Sequence, residues 1–145
     1  MKNKLETKVD YDELLIGWYE NGQKESEKHY KDERLDGIQT FWYENGQKKY
    51  EGNYKDGRKE GLWTEWYENG QKKLEEHYKN GKKEGLYLEW YENGQKEFEV
   101  NYKDGELEGL QIAWWENGQK MVETNFKNGL SNDLKITNKD GLVYQ

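Results

Sequence analysis

The chain has 145 residues, 32% of them hydrophobic and 37% charged, with a net charge of −7; this excludes a thick apolar core and argues against a nucleic-acid backbone or an anionic bilayer as the main partner. Seven Trp, twelve Tyr and three Phe are too many aromatics for a solvated random chain, which argues against disorder. With no Cys and no Pro, disulfides and thiolate metal sites are absent, and the turns fall to Gly, Asn and Asp.

Residues 1–13 read as a lead-in without an apolar stretch, and no run in the chain approaches the roughly 20 residues of a membrane span. As written the chain is expected in the cytoplasm, or outside the cell if a signal has been removed. From there the pentapeptide Glu-Asn-Gly-Gln-Lys recurs at Glu20, Glu44, Glu68, Glu92 and Glu116, a period of 24 residues without insertion. A fixed period of that size marks an array whose units are too small to bury a core alone and lean on their neighbours. Five repeats fill residues 14–129, and residues 130–145 read as a degenerate capping hairpin in which Leu134 and Ile136 keep the phase, Asn138 replaces a recurring Trp and Asp140-Gly141 comes one residue early.

Within one unit, Arg58 to Gly81, two turn signals (Glu68-Asn69-Gly70 and Lys79-Asn80-Gly81) separate short segments rich in Trp, Tyr, Leu and Thr. These are strand residues between hairpin turns. The fold class is therefore all-β: a single-layer antiparallel meander of repeated hairpins, elongated and twisted or curved.

Apolar residues fall on even positions. They include Leu14, Ile16 and Trp18 with their repeats on the first strand of each hairpin, and Tyr50, Tyr54, Leu74, Tyr78, Phe98, Tyr102, Val122 and Phe126 on the second. A two-residue loop would put these sets on opposite faces; a three-residue loop Glu68-Asn69-Gly70 keeps Leu62, Thr64 and Trp66 beside Leu74 and Tyr78. The expected turn is type I with a left-handed Gly and a G1 bulge at Gly22, Gly46, Gly70, Gly94 and Gly118. The same geometry is expected at the turns ending in Gly57, Gly81 and Gly105. Strands of about ten and eight residues leave a surplus of two near Gly37, Gly61, Gly85 and Gly109, where a bulge is expected. Trp18, Trp42, Trp66, Trp90 and Trp114 would form one ladder, about 9.5 Å from rung to rung.

The segment Tyr50-Glu51-Gly52-Asn53-Tyr54-Lys55-Asp56-Gly57-Arg58-Lys59-Glu60-Gly61-Leu62-Trp63 closely resembles a MORN repeat, with its Tyr-x-Gly, Asp-Gly and following Gly. The longer period and the recurring Trp-Tyr-Glu-Asn-Gly-Gln-Lys resemble the bacterial MORN variant. Only Gly52 keeps the Tyr-x-Gly glycine; Lys28, Glu76, Val100 and Thr124 stand at the other copies. The resemblance implies a non-enzymatic interaction module, of the antitoxin or immunity type or belonging to a secreted or surface adhesion protein. The eukaryotic form adds peripheral membrane binding, which the net charge opposes.

Catalytic and metal constellations are missing. His29 and His77 lie two repeats apart, roughly 19 Å, too far to share a metal. Asp10, Asp12 and Glu13 lack the calcium-loop pattern, the column Glu51, Glu75, Glu99 and Glu123 repeats as structure does, and Ser26 and Ser131 have no neighbouring base. No enzyme activity and no cofactor are expected. The aromatic rows are the candidate surface. One comprises the Trp ladder with Tyr54, Tyr78 and Tyr102; a second, odd-numbered row holds Tyr19, Tyr43, Tyr67, Tyr91 and Trp115, joined by Trp63 and Tyr87. An uncovered aromatic face suits a protein partner, a basic one given the charge, or a second copy of the chain.

Overall fold

The structure, a computed structural model, describes residues 12–137 together with 143 and 144. Its strands are β1 (Asp12–Trp18), β2 (Lys24–Lys31), β3 (Arg34–Leu35), β4 (Gly37–Trp42), β5 (Lys48–Lys55), β6 (Arg58–Trp66) and β7 (Lys72–Lys79). There follow β8 (Lys82–Lys83), β9 (Gly85–Trp90), β10 (Lys96–Lys103), β11 (Glu106–Trp114), β12 (Lys120–Lys127), β13 (Leu130–Thr137) and β14 (Val143–Tyr144). All 14 belong to one antiparallel sheet whose neighbours follow chain order, so the array is a single open layer of successive hairpins. Most of the lead-in, and Asn138 and Asp140-Gly141, lie outside the described residues; β14 pairs β13 through Ile136 and Tyr144.

The Glu-Asn-Gly corners have the three-residue loop. The amide of Tyr67 donates to the Gln71 carbonyl at 2.8 Å, that of Gly70 donates to the Tyr67 carbonyl at 2.9 Å, and Gly70 has φ of +84°. Asn69 fixes the turn by accepting from the Gln71 amide at 2.9 Å.

The other turns differ from expectation. Lys55 pairs directly with Arg58, and both central residues have positive φ, +49° at Asp56 and +78° at Gly57. This is the two-residue type I′ turn, in which Asx-Gly tolerates two left-handed residues in a row and the backbone twist matches the flanking strands. Gly81 and Gly105 close equivalent turns after Asn80 and Asp104.

Two register shifts per repeat complete the geometry. Between Glu60 and Trp63, which face Asn53 and Gly52, the pair Gly61-Leu62 is surplus, with Gly61 at φ +74°. This is the two-residue bulge expected at the glycines, and it preserves parity. A second shift was not expected: Trp66 pairs with Lys72 but Glu65 pairs with Leu74, so Lys73 is extra. Every copy has it, between Trp18, Trp42, Trp66, Trp90 or Trp114 and the residue before. A one-residue bulge exchanges the faces of everything beyond it.

The even-numbered apolar set is therefore divided. Leu62, Thr64 and Trp66 share one side, here the ladder face, with Glu75 and His77; Leu74 and Tyr78 lie on the opposite aromatic face with Trp63 and Glu65. A one-layer sheet has no single core side, so a register that splits its apolar residues costs nothing that a two-layer domain would forbid. In β13 the surplus is one residue instead of two: Phe126 faces Ser131 while Thr124 faces Leu134. Leu134 and Ile136, expected in phase with the earlier leucines, are turned instead to the aromatic face.

Candidate functional site

On the aromatic face the second-strand rings meet the first-strand odd positions. Phe41 stacks on Tyr50 at 4.2 Å, Tyr50 lies near-parallel to Trp63 at 6.1 Å, and Tyr54 and Tyr78 meet Trp63 edge-on at 5.3 and 6.3 Å. Tyr87 makes the same edge contacts with Phe98 and Tyr102 at 6.0 and 5.9 Å. Tyr54, Tyr78 and Tyr102 thus belong with Trp63 and Tyr87, not with the Trp ladder. With no second layer, this packing still leaves Val100 at 0% and Gln39 at 2% exposure.

The surplus residues open a gap in the backbone ladder that these side chains close. Gln39 donates to the carbonyls of His29 (3.0 Å) and Gly37 (3.1 Å) and accepts from the His29 amide (3.1 Å); one repeat on, the Trp63 indole donates to the Asn53 carbonyl at 3.2 Å. Burying such groups is tolerable because their polar atoms are bonded.

The ladder face carries the five recurring tryptophans, but lysines separate them. Lys24, Lys48, Lys72 and Lys96 stand over Trp42, Trp66, Trp90 and Trp114 at 5.6, 5.7, 5.8 and 5.8 Å. The same lysines, with Lys120, donate to Glu27, Glu51, Glu75, Glu99 and Glu123 at 2.5 to 2.8 Å. The Lys24 and Lys120 hydrogen bonds hold Glu27 and Glu123 below the usual carboxylate range. Interleaved cations satisfy the ring faces and keep the row from being a bare apolar strip.

The rest of the recurring motif joins repeat to repeat. The hydroxyls of Tyr19, Tyr43, Tyr67 and Tyr91 donate to the carbonyls of Trp42, Trp66, Trp90 and Trp114 at 2.7 to 2.9 Å. The Asn21, Asn45, Asn69 and Asn93 amides donate to the carbonyls of Glu44, Glu68, Glu92 and Glu116 at 2.9 to 3.1 Å. Burial first, then nearby carboxylates, pushes the Tyr19, Tyr43, Tyr67 and Tyr91 hydroxyls up. These tyrosines, placed by the sequence on a recognition row, are the rivets of the array. At the far turns, Asp36, Glu60, Glu84 and Glu108 accept from the amides of Asp56, Asn80, Asp104 and Asn128.

Apart from Trp18, 57% exposed, the open column on the ladder face is made of residues that were not among the expected contacts. Leu14, Ile38, Leu62, Leu86 and Leu110 form one column on the ladder face, each 37 to 53% exposed. Their spacing of two strands is about 9.6 Å. His29, Asn53, His77, Asn101 and Asn125 face them across the strand pairs. The signal was present in the sequence as an aliphatic residue after each bulge position, on a face expected to be uncovered, but its aromatic residues were singled out as the contacts.

Five consecutive stretches, residues 14–32, 35–56, 59–80, 83–104 and 107–128, match the MORN repeat variant. The chain belongs to that family. No curated protein matches it. MORN repeats are modules for binding proteins or membrane lipids, and this all-β repeat fold is typically non-catalytic. Among the described residues of this MORN protein, no group of three His, Asp or Glu side chains could hold a metal ion.

Three half-buried tyrosines give the MORN array an alkaline limit. Burial, then Tyr54 and Glu65, pushes the Tyr50 hydroxyl up to about 12. Burial and hydrogen bonds to Glu76 and Glu89 raise Tyr78 and Tyr87 further. A folded pKa above the unfolded value of about 10 means that the stabilisation is complete below pH 10 and is lost as pH climbs toward 12. In a titration followed at 295 nm, Tyr50, Tyr78 and Tyr87 should ionise only as the near-ultraviolet circular dichroism collapses, so Phe variants at these positions should remove absorbance from the late phase. Their ionisation near pH 10 with the fold intact would contradict this packing.

Proposed function

We propose that the chain is a non-enzymatic scaffold that binds a basic protein along its ladder face. The observation that carries this reading is the column Leu14, Ile38, Leu62, Leu86 and Leu110, an exposed aliphatic stripe that crosses the array at constant spacing. Beside it runs an acidic rail. Glu20, Glu44, Glu68, Glu92 and Glu116 are exposed at the corners and make no ion pair among the described residues. They lie about 20 Å from the stripe along the strands. An amphipathic basic partner would meet apolar contacts from one row and steering charge from the other. Neutralisation of a toxic protein, as in antitoxin or immunity proteins, is the narrower form of this proposal; it is supported by the acidic surface and the resemblance to the bacterial variant.

Affinity purification from the native cells should recover a stoichiometric complex with a basic protein, eluting as one species in size-exclusion chromatography. Leu62→Glu with Leu86→Glu should abolish that complex while shifting the melting temperature by less than about 2 °C, because neither side chain is in a packed site. Retention of the complex by the double variant would overturn the reading. So would binding of the wild-type chain to anionic liposomes with no protein partner recovered, which would place it among lipid-binding members.

A further inference from the structure

The aromatic face has one cavity walled by parallel rings, and its charge is opposite to that of the chain. It measures about 370 Å³ and is lined in part by Trp63, whose ring lies against Gly52. Phe41, Tyr50 and Trp63 form one side as near-parallel plates, with interplanar angles of 21° and 18°. The place exists because of Gly52: a Cβ there would stand 2.2 Å from two atoms of the Trp63 ring, so the indole lies over bare backbone. At the equivalent positions Glu76, Val100 and Thr124 put a side chain in that space.

Two lysines and no carboxylate line the cavity. Lys28 sits 5.2 Å from the Phe41 ring centroid and has no ion pair among the described residues. Lys59 sits 3.9 Å from the Trp63 centroid and 3.7 Å from Glu76, whose other oxygen already meets Lys83 at 3.0 Å. Glu65 faces Tyr50 from the neighbouring strand and is 3.8 Å from Lys73. The immediate balance is therefore positive on a chain whose net charge is −7. Gln39, also on the wall, already has its oxygen and nitrogen bonded to backbone, so it offers little further polar recognition.

We propose that this cavity binds a small planar aryl carboxylate or sulfonate. The ring continues the stack of Phe41, Tyr50 and Trp63, and the anion takes the ammonium groups of Lys28 and Lys59. A volume of this size is at the lower end for ligand pockets and accommodates one or two fused rings. Stacking on several rings supplies the apolar contact, and a half-buried ammonium without a carboxylate supplies selectivity for the anion. The inference does not depend on the protein-binding proposal, since it uses the other face of the sheet.

The test uses 2-naphthoate and its neutral counterpart naphthalene-2-methanol with the purified full chain, followed by ¹H–¹⁵N NMR. Naphthoate should give saturable shifts at the Gly52 amide and the Trp63 indole, with none at the ladder tryptophans. The alcohol and Lys28→Gln should each weaken binding by about tenfold or more, as expected for losing a charge-assisted contact. Lys28→Arg should retain it, and Lys103→Gln, remote from the cavity, should leave it unchanged. Lys28 is partly exposed, so its variants fold. Three outcomes would overturn the proposal: no saturable shift at Trp63, equal affinity for the alcohol, or shifts centred on the ladder face.

Discussion

Gly52→Val is expected to destabilise the array by about 3 kcal/mol, a loss out of proportion to the addition of three carbons. The new Cβ would lie 2.2 Å from Cδ2 and Cε2 of Trp63 and 2.7 Å from Cγ. Those atoms belong to a rigid bicyclic ring held by Tyr50, Tyr54, Tyr78 and the Lys59 ammonium, and pinned through its indole nitrogen to the Asn53 carbonyl. The ring cannot yield by a rotamer change alone. It must leave its site, and its contacts with the strands on either side, β5 and β7, are lost with it. The melting temperature should fall by roughly 10 °C.

The neighbouring repeats indicate the compensation. Val100 stands at the position of Gly52 and faces Tyr87 across the strand before it, a smaller ring than the Trp63 that Gly52 faces across the strand after it. Trp63→Tyr alone should cost about 1–2 kcal/mol through lost area and the lost bond to Asn53. Combined with Gly52→Val it should recover much of the loss, giving a coupling energy of about 2 kcal/mol in a double-mutant cycle by urea unfolding. Strict additivity would mean that the two positions do not share one volume.

This pairing explains which parts of the molecule could be read from sequence. The corners could, because Glu-Asn-Gly between two strand segments demands a left-handed Gly, and the surplus of two residues near Gly61 followed from counting. The bulge at Lys73 could not. Nothing in Lys72-Lys73 forbids a regular pair, and the argument against splitting the apolar residues assumed one buried face. A single layer instead half-covers both faces, with rings against rings on one side and lysines between tryptophans on the other. The two Asx-Gly turns were also indistinguishable from composition; what separates them is the Asn69 side chain accepting from Gln71 and so fixing the longer loop. The tryptophans and tyrosines were recognised as important, but most of them hold the array together. The open surface belongs to aliphatic residues whose exposure depends on a register no local signal announces.

Among the described residues, Glu76 is the one buried carboxylate, at 6% exposure on the aromatic face. The positions equivalent to it carry Lys28, Gly52, Val100 and Thr124, so the fold does not require an acid there. It is held by Lys83 at 3.0 Å, Lys59 at 3.7 Å and the Tyr78 hydroxyl, which donates at 2.9 Å. The positions of Lys59 and Lys83 correspond to Leu35 and Leu107 in the flanking repeats, each facing a tyrosine at its strand pair. Around Glu76, at the junction of the third and fourth repeats, the set is thus ionic, with a lysine on each side. Breaking that set from one side is costly: Glu76→Val should lose about 2–3 kcal/mol, because the Tyr78 hydroxyl and two ammonium groups lose their acceptor together. The lower part of that range is expected because both lysines are about one-third exposed and can turn toward water. Replacing the whole set should be nearly neutral. Glu76→Val with Lys59→Leu and Lys83→Leu brings together residues that each stand at an equivalent position, Val100, Leu35 and Leu107, and should unfold in urea within about 1 kcal/mol of the wild type. If the triple variant remains as unstable as Glu76→Val, the ionic set contributes net stability that its apolar counterpart cannot supply. If it recovers, the role of Glu76 is to mark repeat three, disfavouring a slipped register that would set its carboxylate against Val100 or Thr124.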